Sequence, residues 1–231
     1  MGAPTEWLVF LEFNPHVLAG EEAELIGKPL SEVIHARSAK QRALAGNEIA
    51  GWKIMWSTMA HMRRKLKAAQ NEVLDAAFMA SAFDNPKYIY FERLDKVAQA
   101  ISHVILTKTR ISHVRDEQQQ ETLENKKRDL QITNEEITNF LGKLRADEQS
   151  WNDFFQLYQI APLHIIYEDL CDNIAGVIRD VAQFLRVDIA ESVVSEIENT
   201  QTLRITRSTF EQDLAAQYLA AATLPSGTGG N

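Results

Sequence analysis

Lys87-Tyr88-Ile89-Tyr90-Phe91-Glu92-Arg93-Leu94-Asp95-Lys96-Val97-Ala98-Gln99-Ala100-Ile101-Ser102 is the stretch on which the reading of this chain turns. An apolar, aromatic run of strand character ends at a charged corner, and an amphipathic helix begins at once with Asp95 as its cap. Arg93 is thereby set at the carboxyl end of a strand, the place where ligands bind in open α/β sheets. With Asp95, Gln99 and Ser102 at four- and three-residue steps along one helix face, Arg93 offers a guanidinium fork and a hydroxyl able to hold one phosphate. The same residues also read as an Arg93–Asp95 surface pair beside a neutral helical serine.

Upstream, residues 6–13 hold Trp7, Leu8, Val9, Phe10, Leu11 and Phe13, a short strand or a buried helical turn that periodicity does not separate. Pro15, Gly20, Gly27 and Pro29 then punctuate a loop-rich region with a short helix over 19–26, and residues 30–44 read as a helix broken near Gly46. Trp52-Lys53-Ile54-Met55-Trp56 reads as a buried strand feeding a helix over 59–83, with Arg63, Arg64, Lys65 and Lys67 on its solvated side. Asp84-Asn85-Pro86 ends that helix and launches the strand of the opening stretch.

Downstream, the helix from Asp95 continues to about His113, with Val97, Ile101, Val104 and Ile105 on one face. Residues 116–131 are almost wholly polar, including Lys126-Lys127-Arg128, and read as a solvated helix or a mobile excursion. Thr133 and Glu136 form a capping box that starts the clearest helix of the chain, whose buried face runs from Ile137 to Tyr158. Leu163-His164-Ile165-Ile166-Tyr167 is a further strand, followed by helices over 174–185 and 189–197. A last helix over 209–222 precedes a Gly-rich tail, 223–231, expected to be disordered. Strands alternating with helices indicate an α/β fold with a mainly parallel sheet, expected as a single domain over 1–222.

A formal charge of -8 and a pI near 5.3 argue against broad binding to nucleic acid or an anionic membrane, whereas a small anion needs only a local positive cluster. One cysteine, Cys171, excludes an internal disulfide and a cysteine-based zinc site. With no leader and no run of 18 apolar residues, the chain is expected to be cytoplasmic. Gly46 to Lys53 imitates a Walker loop, but Trp52 displaces the lysine and a strand follows where a helix is required. The histidines show no metal-ligand spacing within one helix, so no metal is expected, and His164 in its strand reads as a satisfied core histidine.

Arg-x-Asp-x-x-x-Gln-Ala-x-Ser after an apolar strand, here Arg93 to Ser102, resembles the 3'-phosphate-binding motif of the Stf0 sulfotransferases, the trehalose 2-sulfotransferase-like enzymes. Other pieces fall in the family's order. Gly2-Ala3-Pro4-Thr5-Glu6-Trp7 is similar to its Gly-x-Pro-x-Glu-aromatic motif, and Gly51 to Trp56 to its Gly-x-Lys-x-Met-Trp strand. Residues 144–155 with Glu148 and Trp151, and Tyr167-Glu168-Asp169-Leu170, are similar to later segments. The resemblance implies a P-loop NTPase-like sulfotransferase fold and 3'-phosphoadenosine 5'-phosphosulfate (PAPS) as sulfuryl donor, with no metal. It implies that Arg93 and Ser102 bind the 3'-phosphate, that Arg204 stands where the family has a late arginine, and that Glu6 is the general base. The partner it implies is a small-molecule hydroxyl acceptor, a carbohydrate among them; a homodimer is compatible with it.

Family members carry a strand and an Arg-Ser/Thr-Gly-Ser loop before the glutamate motif, and that loop cradles the 5'-phosphosulfate. Here Met1 directly precedes the glutamate motif, so the expectation is an N-terminally truncated sulfotransferase fold whose activity depends on that loop being supplied. The alternative is a non-catalytic paralogue that binds a nucleotide or a partner protein through residues 119–128 and an open sheet edge. A structural α/β module with no ligand is the third reading.

Overall fold

In the computed structural model, residues 11–12, 29–46, 48–59, 75–111, 117–200 and 208–223 are described. The chain divides into two compact units, Met1–Tyr88 with Ser150–Ile160, and Ile89–Gln149 with Ala161–Asn231.

In the first unit, β1 (Leu11–Glu12) pairs in parallel with β2 (Trp52–Lys53), Leu11 opposite Trp52. Helix α1 (Leu30–Ala45) ends where Gly46 turns left-handed at φ 65°, a conformation that costs glycine nothing. Its buried face mixes Val33 and Ile34 with Arg37, Ser38 and Gln41. Two of those polar groups bond the β2 segment: Trp52 Nε1 donates to Ser38 Oγ at 3.0 Å, and Gln41 Nε2 donates to the Gly51 carbonyl at 3.1 Å. Such bonds offset the cost of burying the polar side chains.

The expected strand over 52–56 is shorter than its apolar run. The Met55 carbonyl accepts from the N–H groups of Thr58 and Met59, so a helical turn has begun by Trp56. A short apolar run fits a buried strand and a buried helical turn equally well. The expected continuous helix over 59–83 is also revised. Residues 60–74 lie outside the described residues, and α2 (Ala76–Ala82) starts afresh at Asp75, which is extended and caps it by accepting from Phe78 N at 2.8 Å. Asp84 and Asn85 take left-handed φ values of 56° and 55°, which their short polar side chains tolerate, and turn the chain toward Tyr88. Tyr88, Trp151, Phe154 and Phe155 form an aromatic cluster with centroids 5.5 to 6.2 Å apart.

The second unit is built on β3 (Ile89–Glu92) and β4 (Leu163–Ile166), a parallel pair in the register Tyr90 to His164 and Glu92 to Ile166. Around it stand α3 (Lys96–Thr109), α4 (Glu117–Arg128), the part of α5 (Asn134–Leu157) up to Gln149, α6 (Tyr167–Asp172), α7 (Ile174–Leu185), α8 (Glu191–Thr200) and α9 (Thr209–Thr223). Ala100, Ile101 and Ile105 of α3 meet Ile137 and Leu141 of α5 in the core, with Phe210 and Leu214 of α9 packed against them. The capping box is formed reciprocally: Thr133 N donates to Glu136 Oε2 at 2.9 Å, and Glu136 N donates to Thr133 Oγ1 at 3.2 Å.

The architecture is mixed α/β and mostly helical, and the described strands make two parallel pairs rather than the one mainly parallel sheet that the sequence leads one to expect. Helix α3 stops at Thr109, short of His113. Arg110 turns left-handed at φ 62°, and Lys126 Nζ caps the Thr109 carbonyl at 2.9 Å. The polar stretch around residue 120 is helix α4, and its basic run is not uniformly solvated. Lys127 is only 6% exposed and pairs with Glu124 at 3.0 Å and Glu211 at 3.5 Å. The expected short helix over 19–26 and the tail from 224 lie outside the described residues.

Candidate functional site

The β3–α3 corner is shaped by its own residues first. Lys96 N donates to the Leu94 carbonyl at 2.9 Å, and the Asp95 carboxylate accepts from Ala98 N at 2.9 Å, satisfying a donor of the first helical turn. Because β3 and β4 run parallel and in register, the β4–α6 corner follows beside it. Glu168 of α6 closes the gap between the two corners. Its Oε2 accepts from Leu94 N at 3.0 Å, and its Oε1 accepts from Asp95 N at 3.2 Å. Burial raises the Glu168 pKa, but the backbone N–H groups of Leu94, Asp95 and Glu168 itself, with the Arg93 charge, outweigh it and hold the carboxyl below its ordinary value.

Arg93 is fixed from two sides. Its Nε lies 4.0 Å from Glu168 Oε1, outside hydrogen-bond range, and its guanidinium carbon sits 5.1 Å from the centre of the Tyr167 ring, a cation–π contact. The Nε is buried and has no hydrogen-bond partner among the described residues. The same holds for Gln99 Oε1, one turn into α3. Burial and the adjacent Cys171 thiol raise the Tyr167 phenol, so Tyr167 meets Arg93 as a neutral ring.

Ser102 is exposed on α3, two turns or about 10 Å along the axis from the Asp95 cap. Arg93 and Ser102 therefore occupy the strand end and the following helix as the sequence pattern requires. Glu6 and Arg204 lie outside the described residues.

One cluster was not legible in the sequence. Glu92, at the end of β3, accepts from His164 Nε2 at 2.8 Å and from Lys96 Nζ at 3.3 Å, and Lys96 also pairs with Glu148 of α5. His164 is corrected from a core histidine: its side chain is 48% exposed and its ring stacks on Tyr90 at 5.3 Å. Strand alternation is the reason, since Ile165 takes the buried face and His164 the opposite one with Tyr90. Burial and the charges of Glu148 and Glu92 push the Tyr90 phenol up to about 12. In a spectrophotometric titration followed at the tyrosinate band, an ionisation at about 12 is expected that disappears in Tyr90→Phe; a Tyr90 that ionises at 10 would refute its burial beside the two carboxylates. Unfolded tyrosine ionises near 10.0 and this one later, so the stability it contributes is present below pH 10 and lost as pH rises through 12.

Among the described residues no group of three or more His, Cys, Asp and Glu side chains is arranged to hold a metal ion, and no helix is long and apolar enough to cross a membrane. The family model for Stf0 sulphotransferase matches residues 4–207. The chain belongs to that family. The match takes in the whole Arg93 to Ser102 stretch, the bracket at Tyr167 and Glu168, and the positions of Glu6 and Arg204. Stf0 membership implies a sulfotransferase fold of the P-loop type. No curated protein matches the chain.

Proposed function

We propose that this chain is a sulfotransferase that takes the sulfuryl group from PAPS and passes it to a hydroxyl of a carbohydrate or other small metabolite. Membership of the Stf0 family supports the reaction class. The observation that carries the donor assignment is the state of Arg93. Its side chain is 21% exposed, held by Tyr167 and Glu168, and left with a buried Nε that has no acceptor among the described residues. A charged donor held in place and not saturated is disposed to take a phosphate oxygen.

In this reading Arg93 and Ser102 hold the 3'-phosphate, and Arg204 supplies a further positive group to the donor. Glu6 accepts the proton of the acceptor hydroxyl as its oxygen attacks the sulfur and the bond from sulfur to the bridging phosphate oxygen breaks. The leaving nucleotide is adenosine 3',5'-bisphosphate, which makes it a probe of the donor site without any acceptor.

Calorimetric titration of the full chain with adenosine 3',5'-bisphosphate is expected to show binding that Arg93→Ala weakens about thirtyfold, the loss of one charged contact to phosphate. Adenosine 5'-monophosphate, without the 3'-phosphate, should bind wild type and Arg93→Ala alike. No heat at millimolar bisphosphate would sink the donor reading, and equal affinity in Arg93→Ala would remove Arg93 from it.

A further inference from the structure

We infer that Glu168 is a positioning residue for the 3'-phosphate contact, one that orients Arg93 without touching the ligand. The inference rests on the donor reading of Arg93 and adds a residue to it. Three groups of the β3–α3 corner converge on the Glu168 carboxylate: Leu94 N at 3.0 Å, Asp95 N at 3.2 Å and, less closely, Arg93 Nε at 4.0 Å. The two backbone bonds are charge-assisted and fix consecutive peptide units immediately after Arg93. They fix the direction in which the Arg93 side chain leaves the strand.

Glu168 cannot be exchanged for a general negative charge in this role. Both carboxylate oxygens are occupied by different N–H groups, so the position demands two acceptors set on one planar group. At 4.0 Å, Glu168 attracts the guanidinium without forming the bidentate fork that would consume its phosphate-binding edge. Tyr167, the preceding residue, supplies the ring face against which the guanidinium lies. Two consecutive residues of the β4–α6 corner thus set Arg93, Tyr167 by contact with the side chain and Glu168 chiefly by holding the backbone.

A carboxylate near a phosphate site could act in the opposite sense, repelling the ligand, and the two roles give opposite results on substitution. Glu168→Ala should bind adenosine 3',5'-bisphosphate about tenfold more weakly than wild type while its affinity for adenosine 5'-monophosphate is unchanged. Glu168→Gln keeps one acceptor oxygen and should recover part of the lost discrimination. In the ligand-free protein, hydrogen exchange at the Leu94 and Asp95 amides should quicken in Glu168→Ala and less so in Glu168→Gln. Tighter binding of the bisphosphate by Glu168→Ala would overturn the inference, as would an equal loss for both nucleotides, which marks a merely structural residue. Wild type that does not distinguish the two nucleotides would overturn the donor reading itself. Wild type that distinguishes them no better than Glu168→Ala does would overturn the role of Glu168 alone.

Discussion

Ile137→Ala is expected to lower the free energy of unfolding by about 3 to 4 kcal/mol. Ile137 is fully buried on the first turn of α5, in one cluster with Ala100, Ile101, Ile105 and Leu141. Truncation removes the transfer free energy of three carbons and leaves a cavity walled by two helices, which relax only in part. The neighbours on the α3 side include Ala100, whose single methyl cannot swing into the space. Leu157→Ala, at a site 72% exposed, should change stability by less than about 0.5 kcal/mol and serves as the control. Urea unfolding of the three proteins measures this through the midpoint at constant slope. A loss under about 1 kcal/mol at Ile137 would mean that α3 and α5 do not pack through it.

Lys127→Met is expected to cost about 3 kcal/mol, although it replaces a polar residue by an apolar one of similar length in a buried place. Lys127 is 8% exposed in its side chain and joins Glu124 of α4 to Glu211 of α9, with Ser208 Oγ at 3.5 Å. Glu211 is itself committed: its Oε2 accepts from Ser208 N at 3.0 Å at the start of α9. Removing the ammonium leaves that carboxylate, 20% exposed, without its cation, and an unpaired charge in poor solvent is the dominant cost. Glu124, 38% exposed, loses less because water can replace the lysine. The double variant Lys127→Met with Glu211→Gln should recover more than half of the loss, since the unpaired charge that then remains of this network is Glu124, which water reaches. Chemical denaturation of the two variants decides the matter: a Lys127→Met protein as stable as wild type would show that the pair contributes nothing net.

How far the sequence disclosed this molecule depends on the range of the interaction concerned. The Asp95 cap, the Thr133 and Glu136 capping box and the Gly46 stop were all legible, because each is settled within four residues by backbone groups that must find a partner. Element ends were less so. Thr109 ends α3 with the help of Lys126, 17 residues on, and no local signal announces that contact. Composition gives the polar stretch of α4 as a solvated helix or a mobile excursion, and it does not disclose that one lysine of Lys126-Lys127-Arg128 turns inward to meet α9. His164 is exposed against expectation for a related reason. Which face of a two-stranded pair is covered depends on what packs there, and an apolar run alternates without saying which side is inside.

The candidate site divides along the same line. By itself the sequence determined that Arg93 stands at the end of a strand with a capped helix behind it, and that the whole run from Arg93 to Ser102 follows a sulfotransferase pattern. Both are matters of chain order and local hydrogen bonding. Only the tertiary structure decided which groups hold Arg93. The carboxylate set beside it comes from Glu168, which bonds Leu94 across 74 residues, and the ring beneath it from Tyr167. That choice follows from the parallel register of Glu92 with Ile166, which aligns the two strand-end corners. A register is set by packing over the whole sheet face and not by any short stretch of residues, so the bracket around Arg93 became visible only in the folded chain.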